Sequence, residues 1–201
     1  MSRKQFVFKT KVLCLILLWK VFLYQNAYPA SQDCYYGILD GDETLNFSMT
    51  GHNGSIVELE QFRGKVTLIT FGYTDCPDIC PMTLTVLRHV MHQLGDEQDQ
   101  VQVLFISIDP ENDTEEKLKD YLTFFHPTFL GLRGTSEEIE RVARSFKSYY
   151  KKEGTDSETD YLKSHTFSIY LINRDGRLFL TYPPNKFDPK AIAEDIKRTF
   201  K

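Results

Sequence analysis

A predicted strand that runs into a predicted helix, with two cysteines at the junction, constrains this sequence more than any other feature. The run Val66–Tyr73 is apolar and rich in β-branched and aromatic residues, which predicts a strand buried on both faces. After Pro81, apolar residues recur at steps of three and four, which predicts a helix to about Gly95. Cys76 and Cys80 lie between the two elements. Unpaired N–H groups and the positive end of the helix dipole favour thiolate there, so the junction suits thiol chemistry.

The spacing of the two cysteines bears on which thiol chemistry they perform. A thioredoxin-type redox pair has two residues between its cysteines, whereas three residues separate Cys76 from Cys80. At positions i and i+4 of a helix the Cβ atoms are about 5–6 Å apart, and a relaxed disulfide needs about 3.5–4.5 Å. The pair is therefore better placed to bind a metal, unless Pro77 and Pro81 keep the segment out of a helix. A disulfide between the two should be easily reduced.

The first 30 residues differ in composition from the rest of the chain. They contain five basic residues and no acidic one, and an apolar run between Lys11 and Gln25 is interrupted by Lys20. This pattern predicts a signal peptide or membrane anchor, and therefore export. The run is short for a full span, which needs about 20 residues, so cleavage and anchoring both stay open. In a bacterium the protein would lie at the periplasmic face of the inner membrane, anchored or soluble.

Charge and cysteine content narrow the possible functions. The chain has 24 basic and 28 acidic residues; without the five N-terminal basic residues, 19 remain against 28, a net charge of −9. Such an acidic domain argues against a nucleic-acid partner. Without Cys14, only Cys34, Cys76 and Cys80 remain, too few for a disulfide scaffold. A close pair kept in an oxidising compartment indicates a metal site or a managed redox site, and Cys34 is interpreted as a spare thiol.

The remainder of the chain alternates strand and helix patterns, which predicts three segments: a leader at 1–30, a polar arm at 31–46 and one domain at 47–201. Predicted strands are Ser55–Leu59, Val101–Ile108, Thr166–Ile172 and Arg177–Tyr182, and predicted helices are Glu115–Phe125, Ser136 to about Tyr150, and Asp188–Phe200. The charge-rich run Lys151–Lys163 is expected to be an exposed insertion. Strand–helix–strand followed by an antiparallel hairpin and a helix predicts an α/β, thioredoxin-like fold, with a central mixed sheet flanked by helices.

On this plan the loop that leads into the final hairpin, with His165, lies near the cysteine junction. Two thiolates and one imidazole form a soft site with three ligands, and soft ligands select Cu(I), zinc or iron–sulfur clusters. Iron–sulfur clusters usually need four ligands, and structural zinc also takes a closed set of four. Cys76, Cys80 and His165 therefore suit Cu(I), or Cu(II) with a weak additional donor. His89 and His92 lack an accompanying ligand and are not expected to bind metal.

Four segments carry a resemblance to a known family: GYTDCPDICP, SIDPENDTEEKLKDYL, FHPTFLGLRGT and DYLKSHTFSIYLINRDG. From Phe47 to its C-terminus the chain resembles the Sco/SenC family, membrane-tethered thioredoxin-like proteins that assist assembly of the CuA centre of cytochrome c oxidase. The resemblance implies copper bound by Cys76, Cys80 and His165. It also implies as partners subunit II of the oxidase, or another copper protein, together with a copper donor or thiol reductant.

One position departs from the family pattern, and one alternative function stays open. The residue before the ligand histidine is commonly Asp in the family and is Ser164 here; a carboxylate there could orient a ligand or contact a partner. The alternative is a thiol–disulfide oxidoreductase or redox sensor in which Cys76 and Cys80 are the reactive thiols. That function would not require His165, whereas a metallochaperone would.

Overall fold

The computed structural model describes residues 35–41, 43–148, 150–151, 164–165 and 168–200, with side chains for all of these except 150–151 and 164–165. The chain divides into two compact units, Met1–Cys34 and Tyr35–Lys201. All described residues belong to the second unit. The predicted leader at 1–30, Cys34 and most of the predicted insertion Lys151–Lys163 lie outside the described residues.

An eight-stranded mixed sheet forms the centre of this unit. Its strands are β1 (Ile38–Leu39), β2 (Ser48–Gly51), β3 (Ile56–Glu58), β4 (Val66–Gly72), β5 (Val101–Ser107), β6 (Leu130–Arg133), β9 (Ile169–Ile172) and β10 (Leu178–Tyr182), in the spatial order β1-β10-β9-β4-β5-β6-β2-β3. β4, β5 and β6 are parallel, and the remaining pairs are antiparallel. Two further strands, β7 (Tyr150–Lys151) and β8 (Ser164–His165), pair with each other outside the main sheet.

Within the described residues, four α-helices cover the sheet: α1 (Ile79–Leu94), α2 (Glu115–Phe125), α3 (Ser136–Ser145) and α4 (Pro189–Thr199). Successive residues of a strand point to opposite faces, and β4 is buried throughout. Val66 and Leu68 pack with the apolar residues of α1, α2 and α4. Ile69 and Phe71 pack on the other side with those of α3. Helices on both faces of a mixed sheet confirm the predicted thioredoxin-like fold.

The C-terminal end of α3 was predicted wrongly, for a local reason. The helix that begins at Ser136 ends at Ser145, well before Tyr150. Lys147 adopts a left-handed conformation with φ 53°, and the Ser148 N–H donates to the Ala143 carbonyl at 2.9 Å; this is the pattern of a helix-terminating Schellman motif, which glycine usually supplies. The predicted strand Thr166–Ile172 is confirmed over Ile169–Ile172; Ser168 is not in the strand, and Thr166 and Phe167 lie outside the described residues.

The stretch predicted as a polar arm contributes to the fold from Tyr35 onward. Ile38 and Leu39 pair with β10 at the edge of the sheet. Asp195 of α4 is fully buried and accepts hydrogen bonds from the Tyr36 and Gly37 N–H groups at 3.0 and 2.8 Å. The arm is thus fixed to the domain by a buried carboxylate. Among the helices of residues 35–200 that the structure describes, none is long and apolar enough to cross a bilayer.

Candidate metal site

The two cysteines lie at the junction between strand β4 and helix α1. β4 ends at Gly72, and Cys76 follows in the loop. Cys80 is the second residue of α1, which begins at Ile79, whereas the sequence predicts a helix only after Pro81. Pro81 is tolerated inside this helix because N–H groups of the first turn have no intrahelical acceptor. Both thiols are free and nearly inaccessible, with Cys76 8% and Cys80 3% exposed.

Tyr73 packs with both thiols in one buried cluster. The Cys76 N–H donates to the Tyr73 carbonyl at 3.3 Å. The two cysteine side chains therefore lie in the same buried junction, where two soft donors are available to one cation.

Gly72 is required for this geometry by close packing. A Cβ atom at Gly72 would lie 2.9 Å from Cys80 Sγ and 2.7 Å from two ring carbons of Phe105. Real Cβ contacts are not that short, so any side chain here would displace the sulfur or the ring. Because Gly72 has no side chain, the Cys80 sulfur can pack against the backbone at the end of β4.

Burial dominates the electrostatics of the thiols. Burial, followed by the neighbouring Cys76 side chain, raises the pKa of Cys80, because a thiolate loses its hydration there. Burial and the two thiols raise the pKa of Tyr73 to about 12. The expected activation of thiolate by the helix start is therefore outweighed at Cys80. A metal that binds there must displace the proton, so binding couples to pH.

Tyr121 of α2 is a partly buried neighbour that the sequence did not single out. Its ring packs edge-on against Phe105, with centroids 6.1 Å apart. Burial, Cys80 and Cys76 raise the pKa of Tyr121. Its hydroxyl oxygen is buried and has no hydrogen-bond partner among the described residues. Buried hydroxyls are normally paired, and an unpaired one lowers stability.

Hydrogen bonds and an ion pair join the loop that carries Cys76 to residues between the end of β5 and the first turn of α2. Asp113, 1% exposed, accepts hydrogen bonds from Thr74 and Ser107. At the surface Lys117 pairs with Asp75 at 2.8 Å, which raises the pKa of Lys117. These residues lie in two of the segments that carry the family resemblance. No residue spacing in the sequence predicts the contacts between them.

The structure describes the backbone of His165 and not its side chain. It pairs with Tyr150 in the small β7–β8 ladder, four residues before β9. Because β9 is antiparallel to β4, it begins at the end of the sheet where β4 ends. The His165 side chain lies outside the described part of the structure, so its distance to the thiols stays untested. Within the described side chains, no three His, Cys, Asp or Glu groups are arranged to hold a metal.

Comparison with known proteins agrees with this architecture. The sequence profile of the SCO1/SenC family matches residues 39–201. The chain belongs to the SCO1/SenC family. Over 155 residues it is 40% identical to the mitochondrial SCO2 homolog of Bos taurus, a match that spans 76% of this chain and 58% of that protein. The chain thus matches little more than half the length of this relative.

Two solved members of the SCO1/SenC family have a closely similar fold. The structure of Bradyrhizobium japonicum ScoI with copper bound is 43% identical, with a TM-score of 0.69, and covers 78% of this chain and 98% of that one. The copper-bound ScoI of Arabidopsis thaliana is 34% identical, with a TM-score of 0.71 over 78% of this chain and 97% of that one. Both relatives hold copper.

Proposed function

We propose that this protein binds copper through Cys76, Cys80 and His165 and passes it to the CuA site of cytochrome c oxidase. The observation that carries the proposal is the pair of free, buried cysteines packed together at the end of β4, in a chain whose similar structures hold copper. Copper is cargo here, so a site that binds tightly and can still release the ion suits the task.

The chemistry of the donor set favours Cu(I). Two thiolates and an imidazole are soft ligands, and three of them satisfy Cu(I) without the fourth that structural zinc takes. The raised pKa of Cys80 supports a cargo role, because protons compete with the metal for the sulfur. His165 enters as the third ligand from its position in the family motif.

The test is a Cu(I) competition titration of the full chain, reduced beforehand. We expect one copper per chain and a loss of affinity of about tenfold or more in His165→Ala, since even outer partners of a ligand contribute that much. His89→Ala is the matched control, because His89 is exposed on α1. Binding that is indifferent to His165 would contradict the three-ligand site and favour the thiol–disulfide alternative.

Delivery is a separate step of the proposal. The client is subunit II of the oxidase or another copper protein, and the protein acts after export, held by or released from its leader at 1–30. Mixing the copper-loaded chain with a reduced CuA domain of subunit II should move copper to that domain. Retention of copper by the loaded chain, with the client left empty, would restrict the function to copper storage or thiol redox chemistry.

A further inference from the structure

A buried carboxylate is bonded to the loop that carries Cys76 and is not one of the proposed ligands. Asp113 ends the connection between β5 and α2, and its carboxylate is bonded by two separate elements. The Thr74 hydroxyl donates to Oδ1 at 2.5 Å, and the Thr74 N–H lies 3.2 and 3.3 Å from the two oxygens. The Ser107 hydroxyl at the end of β5 donates to Oδ2 at 2.5 Å. All these donors are neutral, and Thr74 lies two residues before Cys76.

Asp113 is itself fixed by its own connection. Its N–H donates to the Asp109 carbonyl at 2.9 Å. The Asp109 N–H donates to the Ser107 hydroxyl at 3.1 Å, and Thr114 caps α2 through the Lys117 N–H at 3.1 Å. The carboxylate is therefore held by β5 on one side and by α2 on the other. A rigid acceptor of this kind can set the position of a neighbouring loop, which here is the Thr74 end of the cysteine loop.

The second link between the same two segments is weaker. Lys117 pairs with Asp75 at 2.8 Å, but the side chains are 39% and 65% exposed. Exposed ion pairs contribute little, because water and salt screen them. Asp113 is shielded from water, so its hydrogen bonds to Thr74 are the stronger constraint on the loop.

We propose that Asp113 is a positioning residue for the thiol pair: through Thr74 it fixes the loop so that the Cys76 sulfur meets the Cys80 sulfur on the helix. The inference rests on the proposed copper function and deepens it. Cys80 is held independently, by α1 and by the close approach to Gly72. The distance between the sulfur atoms thus depends on the loop that carries Cys76. A copper ion that bridges both sulfurs requires that distance to be set before it arrives, since preorganised ligands bind more tightly than mobile ones.

The experiment compares Thr74→Val with Thr74→Ser in the full chain. Valine keeps the shape of threonine and removes the hydroxyl that donates to Asp113, whereas serine keeps that hydroxyl. Asp113→Asn is the third variant. Asp195→Asn is the control, because Asp195 is also a buried carboxylate that fixes a loop, on the α4 side of the domain. The probes are Cu(I) in competition with a chromophoric chelator, and Cu(II), whose sulfur-to-copper charge-transfer band reports the geometry of the sulfurs.

We expect Thr74→Val and Asp113→Asn to weaken Cu(I) binding by about tenfold, the effect of one hydrogen bond to a charged group. Both should shift the charge-transfer band, Thr74→Ser should restore it, and Asp195→Asn should lose stability with affinity unchanged. Lower thermal stability with wild-type affinity and band in Thr74→Val and Asp113→Asn would overturn the inference and leave the proposed function standing. A wild-type chain that binds no copper would overturn both. If Asp113→Asn does not fold, the valine–serine pair decides.

Discussion

Two buried aspartates hold loops to this fold, and they differ in what surrounds them. Asp195 on α4 accepts from two arm N–H groups, from the Tyr182 hydroxyl at 3.2 Å and from Arg198 at 3.1 Å. Among the described residues, the hydrogen-bond donors to Asp113 are Thr74 and Ser107, both neutral. The first carboxylate is bonded directly to a cation, and the second is bonded to the loop that carries Cys76. The first therefore stabilises the fold, whereas the second also shapes a site.

The comparison shows that a buried aspartate can serve two purposes, the stability of the fold and the shape of a site. A buried carboxylate with a charged partner and several N–H donors is a closed structural unit, and losing it leaves donors without acceptors. A buried carboxylate whose hydrogen-bond donors are neutral keeps an uncompensated negative charge. That charge attracts any cation bound nearby. Variants that affect one region and spare the other should separate fold stability from copper binding.

The largest effect is expected at the arm. Asp195→Ala leaves the Tyr36 and Gly37 N–H groups and the Tyr182 hydroxyl without their acceptor, so the free energy of unfolding should fall by about 3 kcal/mol. Urea unfolding measures the loss. Cu(I) affinity should stay within about twofold of wild type. A copper affinity that fell together with stability would remove the distinction between the two regions.

The next effect is expected at the thiol junction. Gly72→Ala should cost about 1–3 kcal/mol, because the new methyl group overlaps Cys80 Sγ and the Phe105 ring. Copper binding should weaken as well, since the sulfur is displaced. Gly41→Ala is the matched control, as its nearest neighbour would be a Glu43 carbon at 3.8 Å. Equal behaviour of the two variants would show that the end of β4 is not closely packed against the sulfur.

A smaller effect of opposite sign is expected for Tyr121→Phe. The substitution removes a buried hydroxyl that has no partner among the described residues, so stability should stay unchanged or rise by up to about 1 kcal/mol. Tyr182→Phe removes a hydroxyl that donates to Asp195 and should lose about 1 kcal/mol. Thermal unfolding of the two variants side by side measures the contrast. A clear loss in Tyr121→Phe would mean that this hydroxyl is bonded in solution.

The smallest effect concerns pH and the arm. Burial acts to raise the pKa of Asp40, but hydrogen bonds from Thr181 and Gly41 and the nearby Lys147 outweigh it, so the pKa lies below 3.8. A depressed carboxyl pKa stabilises the fold above pH 3.8, and the contribution is lost as pH falls through the folded value. Asp40→Asn should therefore be less stable than wild type at pH 6 by under about 1 kcal/mol, and the difference should shrink toward pH 3. A difference that does not vary with pH would contradict this account.

The sequence predicted the parts of the structure that depend on neighbouring residues. The apolar run of β4, the cysteine spacing and the capped start of α2 are local patterns, and the fold and the place of the thiols follow from them. The end of α3 could not be predicted, because Lys147 takes a left-handed conformation that usually calls for glycine. The bond between Thr74 and Asp113 joins residues 39 positions apart and has no periodic signature. The raised pKa of Cys80 likewise depends on tertiary burial.

The most direct test of the copper site is X-ray absorption at the copper edge of the Cu(I)-loaded full chain. The account predicts two sulfur neighbours and one imidazole nitrogen around each copper, and loss of the imidazole signal in His165→Ala while both sulfurs remain. Copper surrounded only by nitrogen and oxygen, or the same sulfur and imidazole neighbours in wild type and His165→Ala, would contradict a site built from Cys76, Cys80 and His165.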